Sequence, residues 1–349
     1  MTPTAGFTIC GDARHNTGKT MTAPAGGAPD ERAVFCGALG LEKEGILPHR
    51  RPAMNGRIPV ILNPAARSTQ AAAREQAIRS LRPEPELFLT SAPGEAAEIA
   101  ERLARAGRPL IVAAGGDGTM NEVLQGVCRA NSALPAGAKH TALGVLPLGT
   151  MNVFALELGL PSADIAACWR MISGGRFKEV DLWLAGEHYF VQLAGVGFDA
   201  EIIQETPWER KKKFGPLSYV MSAMQVLTRK PPVLSVHVEG RPPLHGSVVL
   251  IGAGRHYGGP VPVFPKADNQ DGLLDVLIFR GLGGWEFAQM LRAILTGGYE
   301  PAEDIDYLQL REFTVTSEPA APVELDGELS SGMTPVTFRP AAFKLQVAV

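Results

Sequence analysis

The string Ala114-Gly115-Gly116-Asp117-Gly118-Thr119-Met120-Asn121-Glu122-Val123 follows an apolar run, Leu110–Ala114, and opens a segment with helical spacing. Three glycines let a backbone approach a ligand closely and take conformations closed to other residues. A helix start offers unpaired N–H groups and the positive end of the helix dipole, a seat suited to phosphate. Thr119 followed by Glu122 reads as a capping box that would fix where the helix begins. Asp117 would be repelled by phosphate, so beside a nucleotide it suits Mg²⁺, held directly or through water, or the orientation of an acceptor hydroxyl.

A second loop repeats the logic. Leu143–Leu146 runs into Pro147-Leu148-Gly149-Thr150-Met151-Asn152. Thr150 can cap the next helix and also face a nucleotide, and a loop at the end of a strand is where open α/β sheets bind ligands. Downstream, Pro265-Lys266-Ala267-Asp268-Asn269-Gln270-Asp271-Gly272-Leu273 is rich in oxygen donors of the kind hard cations take. In Glu324-Leu325-Asp326-Gly327-Glu328, carboxylates bracket a glycine at a strand end. Neighbouring carboxylates raise one another's pKa, which equips one of them to accept a proton. Asp326 and Glu328 are equal candidates for that base on sequence.

These residues need a scaffold. From residue 57 strands and helices alternate: Ile58–Leu62, Arg67–Leu81, Glu86–Leu89, Glu95–Ala106, Leu110–Ala114, Met120–Arg129, Leu143–Leu146 and Asn152–Leu158, the last stopped by Gly159 and Pro161. That order predicts an α/β domain over 57–179 with a parallel sheet covered on both faces. From about Val180 strand signals dominate, starting with a hairpin around Ala185-Gly186-Glu187-His188. They continue through Val233–Val238, Val248–Ile251, Leu274–Phe279, Gln309–Val315, Pro322–Leu325 and Val336–Phe338, with helices near Leu217–Leu227 and Trp285–Leu295. Residues 180–335 therefore read as a mostly antiparallel β domain, and 336–349 as a terminal segment that can return to the first domain.

Composition narrows the field. The chain has 349 residues, 45% of them hydrophobic and 20% charged, enough for about two domains at roughly 150 residues each. A net charge of -3 argues against a nucleic-acid binder with a basic footprint. The sequence has neither an apolar run long enough to cross a membrane nor a secretory signal pattern. Four scattered cysteines without CxxC, and histidines without HExxH, fit reduced thiols and a cytoplasmic location better than disulfides or zinc. Residues 1–56, with 9 Gly and 5 Pro, read as a disordered extension. Within them Gly18-Lys19-Thr20 imitates the end of a Walker loop, but Ala13 stands where its first glycine belongs.

GGDGTMNEV followed by PLGTMNVFA resembles the diacylglycerol kinase catalytic family, which includes sphingosine kinases and bacterial lipid kinases; the resemblance spans about residues 57–349. It implies a Rossmann-like, phosphofructokinase-like α/β domain followed by an antiparallel β-sandwich, with the active cleft between them. It implies ATP and Mg²⁺ held at Gly115, Gly116, Asp117, Gly118, Thr119, Asn121 and Glu122, with Gly149, Thr150 and Asn152 on the second loop and Thr90 a further nucleotide contact. Asn63-Pro64 matches the family's first loop, although Ala66-Arg67-Ser68 replaces its usual Ser-Gly. Phe190–Ala200 resembles the glycine-rich strand lining the cleft, with Gln192 where Asn is usual. A Mg²⁺ site carries over to Asp268, Asp271 and the Leu273 backbone. The base carries over to Glu328 or Asp326, with Asp117 as the third catalytic candidate.

The implied reaction is ATP-dependent phosphorylation of a lipid hydroxyl at a membrane surface, by a cytoplasmic protein that visits the inner face and can form a homodimer. Arg210–Lys213, between Trp208 and the apolar Leu217–Leu227, suits an anionic surface at about 1 kcal/mol per basic residue, and equally suits a solvated charge run beside a core helix. NAD kinase also uses GGDGT, but does not account for PLGTMN or for the later DGLLDV and DGE strings. A non-catalytic nucleotide- or lipid-binding regulator is the third reading, opposed by the retained carboxylates.

Overall fold

The computed structural model describes residues 49–50, 56–64, 71–197, 200–201, 232–260, 262–281 and 305–349. The expected extension up to residue 48, Ala66-Arg67-Ser68, Phe198-Asp199, the Arg210–Lys213 stretch and the helices near Leu217–Leu227 and Trp285–Leu295 lie outside the described residues.

In chain order the first part runs β1 (His49–Arg50), β2 (Pro59–Leu62), α1 (Ala71–Arg79), β3 (Glu86–Leu89), α2 (Glu95–Arg105), β4 (Leu110–Gly115), α3 (Asp117–Ser132), β5 (Ala142–Pro147), α4 (Val153–Glu157), α5 (Ile165–Ser173) and β6 (Arg176–Val180). The second runs β7 (Trp183–Ala185), β8 (His188–Phe190), β9 (Leu193–Gly197), β10 (Val233–His237), β11 (Leu244–Gly246), β12 (Val248–Gly252) and β13 (Leu274–Phe279). It continues through β14 (Ile305–Leu310), β15 (Phe313–Glu318), β16 (Pro322–Leu325), β17 (Glu328–Met333), β18 (Val336–Pro340) and β19 (Leu345–Ala348).

The first sheet has the order β1-β6-β19-β5-β4-β2-β3. β3, β2, β4, β5 and β19 are parallel, while β6 and β1 join antiparallel. The sheet is therefore mixed, not wholly parallel: β6 pairs antiparallel with β19, Val180 opposite Leu345 and Phe177 opposite Ala348. Every residue of β4 and β5 is buried, as strands covered on both faces must be. α2 and α3 pack so closely that a Cβ on Gly126 would overlap the Ala97 carbonyl.

The second part is two six-stranded antiparallel sheets, β11-β10-β15-β18-β7-β8 and β14-β13-β12-β9-β16-β17. Alternate residues of both, among them Trp183, Phe338, Val196, Val276 and Leu325, fill one hydrophobic cluster, separate from the one that fills the α/β part. The chain passes between the clusters at Leu182–Trp183 and again at Phe190–Val191.

The hairpin at 185–188 is present, with Ala185 opposite His188. The single strand expected over Gln309–Val315 is two strands in different sheets, because the polar pair Arg311-Glu312 carries the chain across the sandwich edge. α5 escaped the sequence reading: its Asp164 cap, whose carboxylate accepts the Ala167 N–H, looks like ordinary loop composition.

Gly126→Val tests the α2–α3 contact. The added carbons have no room, so unfolding by urea should show a loss of about 3 kcal/mol; unchanged stability would mean the helices can move apart freely.

Candidate active site

β4 ends at Gly115, and Gly116, at φ -90° and ψ -169°, is the cap from which α3 starts. The helix therefore begins at Asp117, three residues earlier than the expected start at Met120, and no side chain caps it. Thr119 instead folds back onto Gly115, which has room for it only because it lacks a Cβ. Glu122 reaches α2, where its carboxylate accepts the Ala96 N–H at 3.2 Å. Asn121 faces Gln125 within the same helix.

The second loop lies against the first, backbone to backbone. Leu148 N–H donates to the Gly115 carbonyl at 2.8 Å, and a Cβ on Gly149 would come within 2.5 Å of the Gly116 Cα. Asn152 takes a left-handed φ of 50°, and its side-chain oxygen accepts the Gly149 N–H at 2.9 Å. Asp117 joins the loops: its carboxylate accepts from Asn152 N–H at 3.0 Å and Val153 N–H at 2.8 Å. Asp117 thus caps α4, the role expected of Thr150, which is exposed.

Two more of the expected residues share this edge. Asn63 N–H donates to the Ala114 carbonyl at 3.4 Å, and the Thr90 N–H to that of Leu62 at 3.0 Å. Thr90, Asn63, Gly115 and Gly149 thus follow one another across the carboxyl ends of β3, β2, β4 and β5, the edge where such sheets place ligands.

The DGE string arrives from the other part of the chain. β16 and β17 form a hairpin closed by Asp326-Gly327, with φ of 50° and 87° at the two positions, the primed turn that Asp-Gly favours. The turn lies over the start of α3: a Cβ on Gly118 would be 2.6 Å from Glu328 Oε1, and one on Gly327 would be 4.0 Å from the Asp117 Cβ. Glu328 is exposed. Asp326 is buried, and its carboxylate accepts the N–H groups of Val191, Gln192 and Leu193 at 2.9–3.1 Å. Burial pushes its pKa up to about 6; the three N–H groups pull the other way, and the Asp117 charge adds to the rise. The buried Glu324 accepts the Gly327 N–H at 2.9 Å and the Tyr257 hydroxyl at 3.3 Å.

The acidic loop is not brought to this place. Asp268 accepts the Gln270 N–H and Asp271 the Leu273 N–H, while Gly272 N–H donates to Asp181 and the Asn269 carbonyl accepts the Asp181 N–H. Asp181 follows β6, where Val180 pairs with Leu345; Val347 pairs with Leu143. That level is six residues from Pro147 by register, about 20 Å along the strands, so Asp268, Asp271 and Leu273 sit toward the opposite edge from Gly149. Among the described residues no three His, Cys, Asp or Glu side chains cluster as a metal site.

Sequence reasoning missed Glu157 and His256. The partly buried Glu157 carboxylate, on α4, accepts from His256 Nδ1 at 2.6 Å, from the Arg255 and His256 N–H groups, and from Gln192 Nε2. Burial alone would raise its pKa, but these bonds outweigh it and hold it below the usual carboxylate range. An acidic residue in the otherwise apolar Val153–Leu158 was the available signal.

Comparison with known proteins places this geometry in a class. Residues 57–185 match the diacylglycerol kinase catalytic domain, and residues 193–349 match the YegS C-terminal NAD kinase beta sandwich-like domain. A diacylglycerol kinase of Bacillus subtilis is 30% identical over 71% of this chain and 80% of its own. A protein of Chromohalobacter salexigens named "Probable lipid kinase YegS-like" is 32% identical over 67% of this chain and 74% of its own. The crystal structure of a diacylglycerol kinase from Bacillus anthracis shares the fold, with a TM-score of 0.61 at 21% identity over 84% of this chain and 96% of that one. The two halves together are those of a lipid kinase family. The chain belongs to the diacylglycerol kinase catalytic-domain family. Among the described residues no helix is long and apolar enough to cross a membrane.

The raised pKa of Asp326 has a measurable sign. The folded state holds this proton more tightly than the unfolded chain, so the group favours folding below about pH 4 and loses that contribution as pH rises through about 6. The stability difference between the unaltered protein and Asp326→Asn should therefore fall from pH 4 to pH 7, by on the order of 3 kcal/mol. A difference that stays flat or grows would show that burial does not dominate this carboxyl.

Proposed function

We propose that the protein transfers the γ-phosphoryl group of ATP to a hydroxyl of a lipid acceptor, diacylglycerol or a related lipid alcohol, at a membrane surface. One observation carries the reading: the Glu328 carboxylate lies over Gly118, at the start of α3 and beside the two packed glycine loops. Parallel strands β3, β2, β4 and β5 end together at one edge, where open α/β sheets bind ligands, and this supports ATP at Asn63, Thr90, Gly115, Gly116, Gly149 and Thr150.

The glycines at 116 and 149 let the two loops lie in backbone contact, since a Cβ on either would press on the other's Cα, and this brings the N–H groups of both loops to one place, a seat suited to polyphosphate. Backbone N–H groups there orient the phosphates, so that most of the catalytic effect is positioning and charge stabilisation. Mg²⁺, when bound with ATP, neutralises phosphate charge. Asp117 is the nearest loop carboxylate, and because its oxygens already hold Asn152 and Val153 its part is through water. Asp268, Asp271 and the Leu273 carbonyl would hold a second Mg²⁺ that fastens the sandwich to the far edge of the first sheet.

Glu328 is the base that accepts the acceptor hydroxyl's proton. Asp326 is committed to three N–H groups and holds the hairpin that presents Glu328. The test is Glu328→Gln in the full chain, with ATP binding and phosphorylation of diacylglycerol in mixed micelles measured side by side. Turnover should fall by about 10³-fold while ATP affinity stays within about twofold. Turnover close to that of the unaltered protein would remove Glu328 from the base position.

A further inference from the structure

Glu157 stands at the end of the short helix whose beginning Asp117 caps, and it touches the β part of the chain rather than the sheet beneath it. One oxygen, Oε2, receives all four donors: Gln192 Nε2 at 3.2 Å, Arg255 N–H at 3.0 Å, His256 N–H at 3.2 Å and His256 Nδ1 at 2.6 Å. The Glu157 side chain is 9% exposed and that of His256 24%, so the pair is shielded enough for charge-assisted bonds to count.

Gln192 carries the connection onward. Its amide nitrogen also donates to the His256 carbonyl at 3.0 Å, while its Oε1 is buried with no hydrogen-bond partner among the described residues. The bonds that orient its side chain among those residues therefore come from the Glu157–His256 side. Its backbone N–H is one of the three that Asp326 holds. The segment beyond His256 lies against the second glycine loop, where a Cβ on Gly259 would come within 3.2 Å of the Met151 Cε.

The contacts close a ring. Asp117 holds the start of α4, Glu157 at its end holds Gln192 and the 255–256 backbone, Asp326 holds Gln192, and the Asp326-Gly327 turn presents Glu328 above Gly118, next to Asp117. We propose that Glu157, with His256 and Gln192, is a positioning clamp that sets the distance between the Gly149–Asn152 loop and Glu328. It touches neither reactant. Its effect is on the alignment of the two halves, so it acts on the transfer step and not on how the first half holds nucleotide. The kinetic part of this inference rests on the lipid kinase reading; the structural part does not.

The experiment uses the full chain with Glu157→Gln, His256→Leu and His256→Asn. Asparagine places its amide donor near the position of Nδ1, whereas leucine removes it. Amide hydrogen exchange should quicken at Val191–Leu193 and Asn152–Val153 in E157Q and H256L, while β4 stays as protected as before. With diacylglycerol micelles, kcat should fall about tenfold in both, with the KM for ATP within about twofold, and H256N should retain about fivefold more activity than H256L. If E157Q does not accumulate as folded protein, H256L gives the same readouts from a partly exposed position. Unchanged exchange at 191–193, or a raised KM for ATP with kcat intact, would overturn the clamp. Quickened exchange in a protein whose unaltered form phosphorylates no lipid would keep the clamp and remove the kinase reading.

Discussion

Two aspartates whose carboxylates each gather backbone N–H groups hold the site together. Asp117 takes the N–H groups at the start of α4, and Asp326 takes those of Val191, Gln192 and Leu193. Each set belongs to a segment that turns sharply and has few other acceptors, so an unpaired N–H there would cost about 1–3 kcal/mol. The two charges also repel, which is part of why Asp326 titrates high. That repulsion is tolerated because the pairing sets the position of the Asp-Gly turn over the start of α3, and with it the position of Glu328.

The rest of the architecture follows from needing both aspartates in one place. The glycine loops come from adjacent parallel strands, so their spacing is set by the β4–β5 register. The turn comes from a sandwich with its own core, which must therefore be tethered to the first sheet. β19 supplies one tether: the last strand of the chain lies between β5 and β6 and completes that sheet. The acidic loop supplies another at the opposite edge, where the Lys344 ammonium pairs with Asp181 at 2.8 Å and the Lys178 ammonium donates to Asn269.

Much of this was legible, for local reasons. Apolar runs announced β4 and β5, and a glycine string after a buried strand announced a close backbone approach. What was not legible depended on partners far along the chain. Thr119–Glu122 satisfies a local capping rule, but the helix starts earlier because the glycine at 116 can adopt the cap geometry unaided, which frees Glu122 to reach α2. Thr150 looks like the natural cap for α4, yet Asp117, 35 residues before the Asn152 whose N–H it accepts, takes that place. Asp326 and Glu328 were indistinguishable until the positive φ at the turn sent one inward and left the other exposed. Glu157 gave only the faint sign of an acid in an apolar helix, because its donors lie 35 residues away and beyond.

The most direct measurement is transfer of label from γ-³²P-ATP by the full chain, offered diacylglycerol, phosphatidylglycerol and a sphingoid base in mixed micelles, with NAD as a soluble control. A carboxylate poised beside the two packed glycine loops predicts label in one lipid class and none in NAD. Label in NAD alone would contradict the account, because the geometry would then serve a soluble hydroxyl and the lipid acceptor would have to be abandoned.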